Sequence, residues 1–170
     1  MDWSWKIPPE ATDLVIELMS NGGSAVEFGS GDGSALLVDS GIDLISFEHN
    51  EEYLDTQQNT IYAPLEKNII SDEAEEVGWY NQEIVRENWP NNVQLVLIDG
   101  PPGKIGRSGI FQISDLLIGV PYIIIDDTHR IAEQNLSDKF MASIGGDRER
   151  ISSQLFDYYE VQRHFDFIKQ

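Results

Sequence analysis

Apolar residues along the chain alternate between two periods, and that alternation predicts a succession of strands and helices. Pro8-Pro9-Glu10 opens a helical stretch, Ala11 to Met19, with apolar residues at Leu14, Val15, Leu18 and Met19. Asn21-Gly22-Gly23 stops it. Apolar runs then read as buried strands: Ala25-Val26-Glu27-Phe28, Leu44-Ile45-Ser46-Phe47, Thr60 to Ala63, Val93 to Ile98 and Tyr122 to Ile125. Runs apolar on both faces suit a parallel sheet covered by helices on each side. Helical segments fall between them, at Ser34 to Val38, Asn50 to Gln58, Tyr80 to Asn88, Ile110 to Ile118 and Ile131 to Ile144. The alternation predicts a doubly wound α/β fold. Asp157 to Lys169, loosely alternating and aromatic-rich, reads as terminal strand material forming an antiparallel edge. Glu66 to Gly78 is an acidic insert, expected as a solvated loop or short helix.

Bulk properties narrow the picture. A chain of 170 residues fits one domain, residues 1–170, and 41% hydrophobic residues supply a real core. No apolar stretch is long enough to cross a bilayer, and Met1 to Trp5 lacks the basic flank and apolar run of a signal peptide. With no cysteine, disulfides and thiolate metal sites are excluded; with no export signal read at the N-terminus, a cytoplasmic location is the expectation. Thirty acidic residues against eleven basic ones give a formal charge of -19. Such a surface repels nucleic-acid phosphates and anionic membranes, so neither is expected as a partner. Five lysines and scattered carboxylates favour a halophilic host, where salt screens carboxylate repulsion, over an ordinary acidic enzyme.

The first predicted strand runs into Glu27-Phe28-Gly29-Ser30-Gly31-Asp32-Gly33 and then a helix. A glycine-rich turn at this point is where open α/β sheets bind nucleotide cofactors, because the ligand must approach the backbone closely. A dinucleotide fingerprint wants G-x-G-x-x-G against a pyrophosphate. Here the spacing is Gly29-x-Gly31-x-Gly33, with Glu27 two residues before. This resembles the first motif of the class I methyltransferases, which have a Rossmann-like fold and bind S-adenosylmethionine (SAM). The resemblance implies that Glu27 serves the methionine end, with help from water, and that Gly29, Ser30, Gly31 and Gly33 line the cofactor. An acid suits the cationic sulfonium and ammonium groups; Asp32 points the same way. Glu48 ends the second strand about twenty residues beyond the glycines, where an acid receives two ribose hydroxyls.

Two further strands end in acids. Val93 to Ile98 runs into Asp99-Gly100-Pro101-Pro102-Gly103, and Tyr122 to Ile125 into Asp126-Asp127-Thr128-His129-Arg130. Both place carboxylates beside the presumed cofactor, with Asp99 a candidate contact to it. Charge brought to the edge of an apolar core is uncommon without a partner. The arrangement is similar to the metal-dependent O-methyltransferases, including catechol-type, small-sugar and macrolide enzymes. That similarity implies Asp99, Asp126 and Asp127 as ligands of one hard divalent cation such as Mg²⁺, which would hold an acceptor hydroxyl and lower its pKa. Two features depart from that family. Asp127 stands where an asparagine is usual, and the family's lysine lies closer to the fourth-strand acid than Lys104 lies to Asp99. Candidate catalytic residues are Asp99, His129, whose ordinary pKa suits a base, and Lys104, which needs burial to lose its proton. Simpler roles are a solvated loop charge for Lys104, an ion pair at the helix entry for Arg130 and an N-cap for Asp127.

Glu48-His49, Asp99-Gly100-Pro101 and the acidic pair with Arg130 match the outline of a subset of small class I methyltransferases, from Ala25 to Arg130. The match assigns no substrate. Arg107 and Arg130 suit an anionic acceptor, since a guanidinium grips carboxylate or phosphate with two bonds. The acid that many family members carry after the third strand is missing, replaced by Ala63-Pro64-Leu65-Glu66. Trp79 or Tyr80 is either a cover for adenine or hydrophobic packing. The leading expectation is O-methylation of a small molecule or saccharide, with or without metal. Alternatives are N- or C-methylation of a protein or polymer, a non-catalytic SAM-binding module, and, more distantly, a nicotinamide dehydrogenase. A short chain without a large cap implies an open site, or a lid lent by another subunit such as a homodimer partner.

Overall fold

A computed structural model describes residues 7–67 and 78–170. In chain order the elements are α1 (Pro9–Leu18), β1 (Ser24–Phe28), α2 (Asp32–Asp39), β2 (Asp43–Glu48), β3 (Thr60–Tyr62), β4 (Leu65–Lys67), β5 (Gly78–Tyr80) and α3 (Gln82–Glu87). They continue with β6 (Val93–Ile98), α4 (Ser114–Leu117), β7 (Tyr122–Ile125), α5 (Ile131–Ser143), β8 (Asp147–Phe156) and β9 (Gln162–Lys169). Seven strands form one sheet in the order β3-β2-β1-β6-β7-β9-β8. The first five in that order run parallel, and β9 and β8 add an antiparallel edge. The fold is therefore the mostly parallel, Rossmann-like α/β arrangement that the sequence predicts.

Strand parity divides the core into two layers. Val26, Phe28, Phe47, Val96, Ile98, Ile123 and Ile125 pack with Val85 of α3 and with Leu136 and Phe140 of α5. Ala25, Leu44, Leu95, Leu97 and Ile124 pack on the other side with Ala11 and Val15 of α1 and Leu37 of α2. Glu27 shares parity with Ala25, and Ser46 and Glu48 with Leu44, so these polar groups lie on the α2 side. From β1 the chain builds outward to β2 and β3, then returns to β6 on the opposite flank. The β1–β6 boundary is thus the switch point at which such sheets open a crevice.

Several local expectations give way. Asn50 to Gln58 forms a 3₁₀ turn over Glu51–Thr56, with Asn50 Oδ1 accepting from Glu52 N, so the turn is capped but does not propagate. Tyr80 belongs to β5, and the helix begins only at Gln82, capped by Asn81. The segment from Ile110 to Ile118 is the end of a 3₁₀ turn followed by the short α4. The C-terminal region holds two long strands where the sequence suggests one. β8 is an exposed edge strand, rich in charge, and has no apolar face to betray it. The acidic insert lies largely outside the described residues; its flanks, β4 and β5, pair antiparallel. Among the described residues, no helix is long and apolar enough to cross a membrane.

Candidate functional site

At the end of β1 the chain turns through Gly29 with φ of 91°, a region where a side chain is strained. Space demands glycine as well: a Cβ on Gly29 would stand 3.1 Å from Gly100 N, and one on Gly100 would stand 2.9 Å from Gly29 Cα. The chain therefore crosses glycine against glycine where β1 and β6 end. Gly29 N donates to Phe47 O at 2.9 Å, and Gly31 N donates to Ser34 Oγ at 2.9 Å. Gly33 is explained by packing, since a Cβ there would meet Ile7 Cγ1 at 2.8 Å.

Glu27 is buried beneath this loop. Its Oε2 accepts from Ser34 Oγ at 2.7 Å and Ser46 Oγ at 2.6 Å, and Gln57 Nε2 donates to the Ser46 hydroxyl. Burial pushes the Glu27 carboxyl up to about 7; the two serine hydroxyls oppose that and the Glu48 charge adds to it. Through Ser34, Glu27 holds the turn that carries Gly31.

Glu48 reaches the loop directly. Its Oε2 accepts from Ser30 N at 2.9 Å, while Oε1 accepts from His49 N at 2.7 Å and Asn50 N at 2.6 Å. Burial alone would raise its pKa, but hydrogen bonds from His49 and from the Asn50 and Ser30 backbone outweigh it and hold the carboxylate below its ordinary value. Tyr80 lies close by. Its hydroxyl is buried, has no hydrogen-bond partner among the described residues, and sits where a Cβ on Gly100 would collide with it. Tyr80 and Trp79 are both core residues, packed around Phe28. Trp79 is pressed on Gly109.

Beyond β6 and β7 the structure brings Asp99, Asp126 and Asp127 together, with one oxygen of each within 4.8 Å of the others. Asp127 has φ of 61°, a left-handed conformation that aspartate tolerates better than most residues. It does not cap α5; Arg130 occupies that position. Three guanidiniums face the acids. Arg163 Nη2 donates to Asp126 Oδ2 at 2.7 Å and lies 3.3 Å from Asp127 Oδ1. Arg130 Nη1 lies 3.0 Å from Asp127 Oδ2. Arg107, buried, donates to Asp127 Oδ2 and to three backbone carbonyls, those of Asp99, Pro101 and Asp126. Arg107 is thus consumed within the protein, which leaves Arg130, 40% exposed, as the arginine of the two that can meet an anionic acceptor.

The acids are electrostatically unequal. Burial, reinforced by the Asp126 charge, raises Asp99 well above the usual carboxylate range, against the pull of Arg107. Burial and the adjacent Asp127 push Asp126 up to about 6, opposed by Arg163 and Arg107. Asp127 is buried too, but Arg107, Arg130 and Arg163 together hold it below its ordinary value. The Asp99 side chain is 24% exposed against 0% and 6% for Asp126 and Asp127, so it is the acid that solvent and a ligand can reach.

Lys104 is exposed on the turn after the two prolines and lacks the burial its role as a base requires. The His129 side chain is buried, with Nε2 3.4 Å from Asp157 Oδ2, and burial lowers its pKa. Two participants escape the sequence. Arg163 sits on β9, far along the chain from the acidic pair and in no local motif, and only the antiparallel pairing of β9 with β7 delivers it. Glu133, in the first turn of α5, is buried; among the described residues neither carboxylate oxygen has a hydrogen-bond partner, and Oε1 lies 3.9 Å from Arg107 Nε. Its position one helical turn after Arg130 is the one available signal.

No protein-family model matches the sequence, and no curated protein matches it either. Solved structures do. An O-methyltransferase from Bacillus cereus in complex with SAH superposes with TM-score 0.63 at 9% identity, over 98% of this chain and 84% of that one. The O-methyltransferase TomG from Streptomyces achromogenes, involved in tomaymycin synthesis and in complex with SAM, gives 0.58 at 11% identity, over 99% and 82%. A Thermoplasma acidophilum protein gives 0.53 at 14%, over 99% and 92%. The chain has the Rossmann-like methyltransferase fold.

Proposed function

We propose that the protein is a SAM-dependent methyltransferase acting on a hydroxyl of a small molecule or saccharide. The observation that carries this is the junction of Glu48 with the Gly29-Ser30-Gly31 turn at the β1–β6 switch point, beside the partly exposed carboxyl of Asp99. The fold of the neighbours supports the same reading. The residues fit the cofactor: a turn with little side-chain bulk, Glu48 for hydroxyl groups, and a buried Tyr80 hydroxyl nearby that lacks a partner among the described residues. When bound, SAM supplies an electrophilic methyl group, which passes to the acceptor oxygen and leaves a neutral thioether.

The chain's own groups have three tasks. Gly29, Ser30 and Gly31 shape the turn, with Glu27 bracing it through Ser34 and Glu48 fixing its far side. Asp99, the most exposed of the three acids, takes the proton of the acceptor hydroxyl as general base. Arg130 offers the acceptor an anion-binding group at the rim. No step is assigned to a cation at Asp99, Asp126 and Asp127, because guanidiniums already engage that cluster. The test is transfer of a labelled methyl from SAM into a desalted small-molecule extract at several salt concentrations. Label entering small molecules supports the proposal; label entering only protein or polymer would favour the N- or C-methylating alternative.

A further inference from the structure

The oxygen cluster between β6 and β7 has the composition of a hard-cation site, and a guanidinium already lies among its oxygens. Arg107 Nε donates to Pro101 O at 3.1 Å and Nη1 to Asp126 O at 3.1 Å. Its Nη2 donates to Asp99 O at 2.7 Å and to Asp127 Oδ2 at 3.1 Å. Three carbonyls and one carboxylate therefore converge on a side chain that is only 3% exposed. We propose that Arg107 is the resident cation of this site, an internal substitute for a divalent metal, so that Asp99, Asp126 and Asp127 do not bind one.

The remaining oxygens point the same way. Asp126 Oδ1 accepts from Asp127 N at 2.7 Å and Oδ2 from Arg163 at 2.7 Å. Asp127 Oδ2 is shared with Arg130. Mg²⁺ asks for near-octahedral oxygens at about 2.0–2.1 Å. Three of the pair's four carboxylate oxygens accept from a guanidinium or an amide. The fourth, Asp127 Oδ1, has no hydrogen-bond partner among the described residues but lies 3.3 Å from Arg163 Nη2, so a dication would stand among three fixed positive charges. Arginine, always protonated, also keeps its charge over the whole working pH range. Its multiple N–H groups tie the ends of β6 and β7 together, as a metal would. The catalytic meaning rests on the methyltransferase proposal: the acceptor hydroxyl would meet Asp99 without metal coordination.

The test reads metal binding, not methyl transfer, so it fails or succeeds independently of that proposal. Mn²⁺ is titrated into the protein and its Asp126→Asn and Arg107→Met variants, with free Mn²⁺ followed by electron paramagnetic resonance. High, fixed monovalent salt screens diffuse attraction to the acidic surface. The expected result is no saturable site in the unaltered protein and the same weak uptake in Asp126→Asn. Arg107→Met, once the guanidinium is gone, gains a saturable site at least roughly tenfold tighter than that background. A saturable site in the unaltered protein that Asp126→Asn removes would overturn the proposal. So would a folded Arg107→Met protein that gains no site. If Arg107→Met does not fold, the comparison of the unaltered protein with Asp126→Asn decides alone.

Discussion

The carboxylate of Glu48, at the end of β2, accepts the backbone N–H of Ser30 at 2.9 Å and so locks the glycine turn to the neighbouring strand. His49 N and Asn50 N occupy its other oxygen. Glu48→Gln turns one end of the side chain from acceptor to donor and sets it against backbone N–H groups. We expect a loss of about 1–3 kcal/mol in unfolding free energy, the range for leaving a buried polar group unpaired. SAM affinity should fall by roughly tenfold or more, equivalent to about 1.4 kcal/mol. Chemical denaturation and calorimetric titration check the two effects separately.

Glu27 makes stability depend on pH in a defined direction. Its folded pKa, about 7, lies above the ordinary value of 4.5, so the folded protein binds the proton more tightly than the unfolded chain. Its contribution is present in full below the unfolded value and is lost as pH rises through about 7. The size is on the order of 3 kcal/mol, at about 1.4 kcal/mol per unit. Glu27→Gln keeps an acceptor for Ser34 and Ser46 and removes the titration. Unfolding free energies from pH 5 to 8, at roughly unit steps, should flatten in that variant and match the unaltered protein only at the acid end.

Gly29 and Gly100 exclude each other's side chains. Gly29→Ala adds a Cβ at φ of 91° and 3.1 Å from Gly100 N. The expected cost is about 1–3 kcal/mol, from strain and displacement of the crossing turn. Gly119→Ala is the control: its φ is 83°, but no atom lies within 4 Å of the added Cβ, so only the backbone strain remains. A cost for Gly29→Ala no greater than that of the control, measured by denaturant unfolding, would mean the crossing is not tight.

Asp166 holds the C-terminal edge to the sheet. It is fully buried and accepts from Arg150 Nε at 2.7 Å, Arg150 Nη2 at 2.9 Å, Thr128 Oγ1 at 3.0 Å and Ser137 Oγ at 2.5 Å. Burial raises its pKa, but Arg150, Ser137 and Thr128 more than reverse this, and the carboxylate stays below its ordinary value. Its stabilisation is therefore present above the unfolded pKa and lost as pH falls through the folded one. Asp166→Ala leaves buried partners without their acceptor and should cost about 3–5 kcal/mol. Thermal unfolding, read at several pH values, checks both statements.

β1, β2, β6 and β7 are legible in the sequence because each is a short, largely apolar run closed by glycine or acid. The glycine turn and the acids at the ends of β2, β6 and β7 are legible for a related reason: a charge that follows directly on a buried strand stands out from its neighbours. What stays hidden depends on pairing at a distance. β8 is polar because it is an edge, and the arrival of Arg163 at Asp126 follows only from β9 lying antiparallel to β7. Arg107 reads in sequence as a grip for an anionic acceptor; three carbonyl partners make it an internal strut. Tyr80, read in the sequence as the head of a helix, is instead the last residue of β5.

The central claim is that the Gly29–Gly33 turn and Glu48 bind SAM. Calorimetric titration of the protein with SAM, SAH and NAD at several salt concentrations tests it most directly. One-to-one binding of SAM and SAH is expected, weakened by Glu48→Gln, with none of NAD. Absence of binding by both SAM and SAH at every salt concentration, with the protein folded, would contradict it.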